Sequence, residues 1–333
     1  MPNDGNRSAV IEQVAAEAEV EQQPAPQLGA PASATQESPV NPKEKNIFAE
    51  IYEAKNVRDV IPRIKRDIYQ LMTDSGLAEK YSIFFLYDDG TNIARGTSNQ
   101  LYSAMSSRKE AKPLYLLIHS GGGKIEPAYL ISKCCKSYSG KGFVVSVPRF
   151  AKSAATLLAL GADEIHMGVV SELGPIDPQV GNYPALGLGS AISYIAGLCK
   201  QYPDAMQMFA QYLSSSLNLH DLGYLERVSE SATQYAARLL SGKEFPEGQT
   251  AAKIAKRFVY GYKDHGFVID RDEALSILGD KVVKFDTPEY QLGSQIHEYL
   301  ENVNIGCRLW KSHFCKIVGA LDDGLMMWEE EKE

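Results

Sequence analysis

Three stretches between residues 114 and 179 decide the fold: LYLLIHSGGG (114–123), FVVSVPRFAKSAATLLALGADEIHM (143–167) and ELGPIDPQ (172–179). The first two are apolar runs that end in a turn and continue into a helix-like segment, which predicts two β-α units in series. Parallel strands with right-handed crossovers bring both turns to one carboxyl edge, where open α/β sheets bind ligands. The sequence therefore predicts an α/β protein with a site at that edge.

The two turns carry complementary chemistry. Gly121, Gly122 and Gly123 lack a Cβ atom, so their backbone N–H groups can approach a ligand closely. Ser153 stands where a strand gives way to the helix that Ala154 opens. A serine hydroxyl facing backbone amides is the arrangement that acyl transfer requires. Serine is also a favoured helix cap, so its hydroxyl could instead satisfy the free amides of that helix.

Composition limits the function classes. The chain has 333 residues, 44% of them apolar, and 34 basic against 42 acidic side chains give a net charge of −8. We see no basic cluster dense enough for phosphate-backbone contacts, so no nucleic-acid partner is expected. No apolar run approaches the ~20 residues of a membrane span, and the N-terminal sequence lacks a signal peptide, which favours a cytoplasmic protein. The cysteines lack metal-ligand spacing, and no dinucleotide fingerprint is present, so neither a metal nor a cofactor is predicted.

The chain divides into three parts by composition. Residues 1–45 are rich in Ala, Glu, Gln and Pro and predict a disordered N-terminal arm. Residues 46–319 alternate strand and helix patterns up to about residue 180, and a helical C-terminal region follows over about 187–319. Residues 320–333 are predicted to be an acidic tail, and its EEEKE end (329–333) to be solvated.

The motifs resemble the serine dehydrogenase proteinase family, in the signal peptide peptidase A and Clp protease branch of the crotonase-like fold. That family typically has a glycine-rich turn, then A-x-S-[GA]-[GA]-T, A-D-E-I and L-G-P-[IV]-D-P-Q; this chain has SGGG, AKSAAT, ADEI and LGPIDPQ, beginning at residues 120, 151, 162 and 173. The resemblance runs from about residue 83 to 319. It implies a Clp protease/crotonase-like fold of repeated β-β-α or β-α units with a helical C-terminal region.

The resemblance also implies site residues. Ser153 is the expected nucleophile, the amides of Gly122 and Ala154 the expected oxyanion hole, and Gly121 and Gly123 the expected substrate-binding positions. Lys152 departs from the family, which usually has an apolar residue there. We expect its side chain to leave the turn as a solvated charge or a modulator.

The general base has two candidates. The segment where Clp proteases carry a catalytic histidine reads ELGPIDPQ here and contains none. The signal peptide peptidase branch uses a lysine instead, which makes Lys200 the first candidate for a Ser-Lys dyad, although an exposed helix lysine fits the same pattern. His265 is the rival base, since a carboxylate can orient its imidazole. Local turn contacts are the favoured interpretation of both His265 and Asp177.

Three functions remain open on sequence. A serine-type endopeptidase would cleave polypeptides through an acyl-enzyme on Ser153. Crotonase-type acyl-CoA chemistry would use the same backbone amides without that nucleophile, and a non-catalytic scaffold would bind peptides or partner proteins. Relatives of this fold build subunit interfaces from the helices after the core, so the apolar helical faces of residues 189–241 predict a homo-oligomer.

Overall fold

A computed structural model describes residues 46–88, 90–108, 112–180, 183–216, 219–311 and 313–329. The predicted N-terminal arm, residues 1–45, lies outside them. The strands are β1 Ser82–Asp88, β2 Leu114–Ser120, β3 Phe143–Val147, β4 Phe150–Ala151, β5 Glu164–Met167, β6 Glu172–Leu173, β7 Gln179–Val180, β8 Tyr183–Pro184, β9 Ile269–Asp270, β10 Val283–Phe285, β11 His313–Gly319 and β12 Leu325–Glu329.

The α-helices alternate with the strands from β1 to β5, follow one another after β8, and are separated by strands from β9 onward. They are α1 Ile47–Glu53, α2 Ile61–Asp74, α3 Leu77–Lys80, α4 Arg95–Ser106, α5 Ile125–Tyr138, α6 Ala154–Ala159, α7 Ala185–Gln201, α8 Met206–Ser216, α9 Leu219–Leu240, α10 Ala251–Tyr260, α11 Arg271–Leu278, α12 Pro288–Lys311 and α13 Leu321–Gly324. Two short 3₁₀ helices, Val57–Val60 and Pro203–Ala205, precede α2 and α8. The predicted α/β class with a helical C-terminal region is therefore confirmed.

The main sheet has the strand order β10-β5-β3-β2-β1-β11-β12. Its five strands from β10 to β1 are parallel, as predicted, and β11 and β12 close one edge in antiparallel pairing. All seven residues of β1 and of β2 are buried. Burial on both faces is typical of parallel strands covered by helices, and it explains why these runs are apolar without alternation.

Successive side chains of β1 enter different cores, because neighbouring residues in a strand point to opposite faces. Phe84 and Leu86 belong to the core that contains Leu101 of α4 and the apolar side of α5 and α6. Phe85 and Tyr87 belong to the core on the other face, which α2 and α12 cover. The sheet is therefore the middle of three layers.

The C-terminal segment differs from its prediction. Residues 325–329 form β12, which pairs with β11 from Leu325↔Ile317 to His313↔Glu329. Leu325 and Met327 are buried in the core on the α12 face. The segment predicted as an acidic tail therefore contains a paired strand, because the alternate apolar side chains Leu325 and Met327 reach the core. Glu329, the first residue of the EEEKE end, is exposed.

Candidate active site

A second row of short strands branches from the end of β2 and assembles the site. Ser120 pairs with Ala151 of β4, Ala151 pairs with Leu173 of β6, and Leu173 pairs with Ile269 of β9. Four segments that are distant in sequence therefore flank neighbouring strands of this row. The glycine loop, the serine turn, the LGPIDPQ segment and the loop before β9 all lie at the same edge.

Ser153 has a backbone conformation that suits a nucleophile. It occupies the N-cap position of α6 with φ 52° and ψ −119°, a strained region for a residue with a Cβ atom. Its side chain makes no capping hydrogen bond to the helix. The structure therefore does not support the capping interpretation, and the sharp strand-to-helix turn resembles the elbow that projects a serine hydroxyl outward in hydrolases.

The glycine loop lies directly against this turn. A Cβ atom built on Gly122 would stand 2.6 Å from the Lys152 carbonyl oxygen, 2.8 Å from the Ser153 Cβ and 3.0 Å from the Ala154 amide nitrogen. Gly122 has φ 104°, which also excludes most side chains. Only glycine allows the two turns to approach so closely.

Backbone amides are present on both sides of the turn. Ala154 is the first residue of α6, and the N–H of a first helical residue has no acceptor inside its helix. The Gly122 N–H donates to the buried Ser120 hydroxyl at 3.2 Å, while its carbonyl accepts from the Ile93 N–H at 2.8 Å. The Ile93 contact therefore fixes the carbonyl of Gly122, and the Ser120 contact is long for an N–H···O hydrogen bond.

Thr156 connects the serine turn to the LGPIDPQ segment. Its hydroxyl donates to the Ala151 carbonyl at 2.6 Å and accepts from the Gly174 N–H at 3.0 Å. Gly174 approaches the turn so closely that a Cβ atom there would lie 2.7 Å from the Lys152 Cδ. The threonine and the glycine of the two motifs are therefore partners, a pairing that the sequence analysis did not identify.

Asp177 and His265 form a hydrogen-bonded pair across 88 residues of sequence. The Asp177 Oδ1 lies 2.6 Å from the His265 Nδ1, with the carboxylate side chain 5% exposed and the imidazole 30% exposed. An ionised carboxylate only accepts, so Nδ1 carries the proton in this pair and Nε2 is free to accept one when the ring is neutral. The preference for local turn contacts did not anticipate this long-range pair.

Lys152 fastens the His265 loop to the serine turn. Its Nζ lies 2.5 Å from the Glu172 carboxylate and donates to the carbonyl oxygens of Leu173 at 3.4 Å and Phe267 at 3.3 Å. Its side chain is 20% exposed and ion-paired, which does not fit the solvated charge; the alternative role as a modulator stays a prediction. The lysine next to the nucleophile joins β6 and the loop before β9.

Lys200 belongs to helix α7. It is exposed in the last turn of α7, which packs against α9 and α8. The structure thus packs the glycine loop against Ser153 and Ala154, and Lys152 links the loop that carries His265 to this turn. The Lys200 side chain is exposed on its helix. The assignment of Lys200 as the base stays a prediction.

Two further histidines are buried, and neither is a candidate for the general base. The rings of His119 on β2 and His297 on α12 are 4.6 Å apart and nearly inaccessible to solvent. Burial, followed by the neighbouring His297 and Arg149, lowers the pKa of His119 to about 3, and burial with Arg149 lowers that of His297 to about 4. Both rings are neutral at physiological pH and pack as core side chains.

The described residues contain no group of three or more His, Cys, Asp or Glu side chains placed to hold a metal ion. In the same part of the chain, no helix has the length and apolar character needed to cross a bilayer.

The α/β fold therefore places Ser153, whose backbone is strained, beside the glycine loop. Residues 91–204 match the family described as ClpP-like SDH-type serine proteinase. This confirms over those residues the resemblance to the serine dehydrogenase proteinase family, and the Clp protease/crotonase-like fold that it implies. The match includes the glycine loop, Ser153 and LGPIDPQ, but ends before His265.

Two proteins of Methanocaldococcus jannaschii are similar to part of the chain. MJ0137 is 39% identical over 95 residues, which are 28% of this chain and 33% of the relative; MJ1495 is 36% identical over 91 residues, 27% of this chain and 31% of the relative. Both are described as uncharacterized. The chain spans about a third of the length of the curated relatives that it matches.

Among solved structures, a serine-to-alanine mutant of the 1510-N membrane-bound stomatin-specific protease is similar, with 17% identity and a TM-score of 0.39. The similarity covers 68% of this chain and 86% of that chain. ClpP1 from Listeria monocytogenes covers 66% of this chain and 99% of its own, with 15% identity and a TM-score of 0.37. At these TM-scores the similarities support no inference about function.

Proposed function

We propose that the protein is a serine-type peptidase that hydrolyses polypeptides through an acyl-enzyme on Ser153. The observation that carries the proposal is the backbone of Ser153, held at φ 52° without a capping bond and with Gly122 packed against it. Strain of this kind costs about 1–3 kcal/mol and persists where the surroundings enforce it, which is typical of catalytic turns. The family match over residues 91–204 supports the same class of reaction.

The base that the geometry favours is His265, oriented by Asp177. The hydrogen bond of 2.6 Å fixes the imidazole with Nδ1 protonated, which leaves Nε2 as the proton acceptor. The contact of Lys152 with the Phe267 carbonyl, two residues beyond His265, ties this loop to the residue before the nucleophile. A Ser-Lys dyad with Lys200 is the alternative, and it would require the exposed α7 terminus to supply a neutral amine at the serine.

The reaction follows from these positions. The Ser153 Oγ attacks the scissile carbonyl carbon while His265 Nε2 takes the hydroxyl proton. The amides of Ala154 and Gly122 stabilise the negative charge on the carbonyl oxygen. The protonated imidazole then donates to the leaving amine nitrogen, the C–N bond breaks, and an ester on Ser153 remains. Water, deprotonated by the same imidazole, hydrolyses the ester and restores the serine.

We also propose a homo-oligomer. Large apolar side chains on α7, α8 and the segment between them are exposed to solvent in the single chain, including Tyr194, Tyr202, Met208 and Tyr212. Contiguous exposed apolar side chains are typical of surfaces that another protein covers. This agrees with the prediction that residues 189–241 supply subunit contacts.

A peptide-library digest tests the activity. Wild-type protein should cleave internal peptide bonds, and Ser153→Ala should cleave none while retaining its thermal transition. Binding of an acyl-CoA without peptide cleavage would favour crotonase chemistry. Peptide binding without turnover in either protein would favour the non-catalytic scaffold.

A further inference from the structure

A cavity lies at the opposite end of α6 from Ser153. Its volume is about 320 Å³, and its walls come from the middle of α5, the residues after α6 and the C-terminal end of α9. This size is at the lower limit of cavities that bind small molecules. α6 has six residues, about 9 Å at 1.5 Å per residue, so the cavity is separate from the serine turn.

The walls of this cavity are strongly basic. Lys133, Lys136, Arg238 and Lys243 line it, with Asp163 as the one acidic side chain among its lining residues. Lys136 already forms an ion pair with Asp163. Within the described residues, neither Lys133 nor Arg238 has a carboxylate partner. Lys133 and Arg238 are therefore two cations without a carboxylate partner beside Lys243, in a chain whose net charge is −8.

Asp163 is committed to contacts within the wall. Burial alone would raise its pKa, but hydrogen bonds from Lys136 and from the Phe143 N–H at 2.9 Å outweigh burial and hold the pKa below its ordinary value. The carboxylate is therefore ionised at neutral pH and occupied by two donors. Among the cavity cations its ion pair is with Lys136, and it also favours the charged form of Lys243.

Lys243 is fixed at the base of the cavity. Its Nζ donates to the carbonyl oxygens of Leu160 and Ala162, which follow the end of α6. An ammonium group has three donors, so one remains after these two bonds. Burial, with a smaller contribution from Lys136, lowers the pKa of Lys243 to about 8 against the opposing effect of Asp163. The cost of burying this charge decreases when an anion approaches it.

We propose that this cavity binds a small phosphate-bearing anion with at least two negative charges. Lys243 would contact it from below with its remaining N–H. Lys133 and Arg238, both exposed at the mouth, would close around it, since guanidinium and ammonium groups pair strongly with phosphate oxygens. The proposal does not depend on peptidase activity, because none of these residues lies at the serine turn.

Calorimetric titration with inorganic pyrophosphate, at constant ionic strength, tests the proposal on the full chain. Wild-type protein should show saturable binding with one pyrophosphate per chain. The double variant Lys133→Gln/Arg238→Gln should bind at least tenfold more weakly, because it removes two charge-assisted contacts. These side chains are exposed, so circular dichroism and Tm should remain close to those of the wild type.

A matched control separates the site from general electrostatics. Lys55→Gln/Lys256→Gln removes the same charge from two exposed lysines that do not line the cavity, and its pyrophosphate affinity should equal that of the wild type. Equal weakening in both double variants would overturn the proposal, as would the absence of saturable binding in the wild type. Citrate binding as tight as pyrophosphate binding would refute the preference for phosphate.

Discussion

Gly122→Ala should impair catalysis while leaving the protein folded. The added Cβ atom would meet the Lys152 carbonyl oxygen at 2.6 Å, whereas ordinary contacts of this kind begin at 3.4 Å. The glycine loop must therefore move away from the serine turn by about 0.8 Å, the difference between those two distances. Misplacing a catalytic group by about 1 Å costs on the order of 100-fold in rate.

The fold should tolerate this change. A side chain at φ 104° adds backbone strain of about 1–3 kcal/mol, and domains are typically stable by about 5–15 kcal/mol. We expect turnover of an activated p-nitrophenyl ester to fall about 100-fold or more, with little change in the circular dichroism spectrum and a Tm lowered by several degrees.

Gly121→Ala is the matched control. No heavy atom lies within 4 Å of a Cβ atom built there, and Gly121 is absent from the residues with positive φ. Its turnover should stay within about twofold of the wild type, since exposed substitutions that create no clash have small effects. A folded Gly122→Ala protein with the same turnover as Gly121→Ala would show that the glycine loop does not take part in catalysis.

Three further predictions concern the base, Lys243 and assembly. Asp177→Asn should lower kcat at least 100-fold with little change in KM, since it removes the carboxylate that orients the His265 tautomer. Lys200→Arg should keep the kcat of the wild type. A wild-type kcat in Asp177→Asn together with a loss of kcat in Lys200→Arg, measured across pH 5–9, would favour the Ser-Lys dyad. Because the pKa of Lys243 is lowered to about 8 from 10.5, the folded protein releases this proton first, so the free energy of unfolding should rise by about 1–3 kcal/mol between pH 8 and 10.5 relative to Lys243→Met. Chemical denaturation at several pH values measures that difference, and parallel curves would contradict it. Light scattering at micromolar concentration should give the mass of an oligomer, whereas a monomer would contradict the assignment of α7 and α8 to subunit contacts.

The sequence was sufficient for the elements whose signal is local. The apolar runs at 114–120 and 143–147 form β2 and β3, and the SGGG and AKSAAT turns meet at one edge as predicted. The strained turn at Ser153 also lies where the motif placed it.

The pairing of Asp177 with His265 was not predictable in this way. It depends on β6 and β9, which have two residues each and pair through Leu173↔Ile269. Strands this short have no periodicity that a sequence pattern can reveal. The contacts of Lys152 were also not predictable: the sequence offered an exposed helix lysine for Lys200, but only tertiary packing determines that Lys152 is held against Glu172.

Fluorophosphonate labelling followed by peptide mass spectrometry tests the central claim, that Ser153 is a nucleophile activated by His265, most directly. The probe reacts with an activated serine hydroxyl and requires no knowledge of the natural substrate. We predict labelling at Ser153 in the wild type, none in Ser153→Ala, and labelling slowed at least 100-fold in His265→Gln. Unchanged labelling in His265→Gln would place the base elsewhere, and the absence of label on Ser153 in folded wild-type protein would contradict the account.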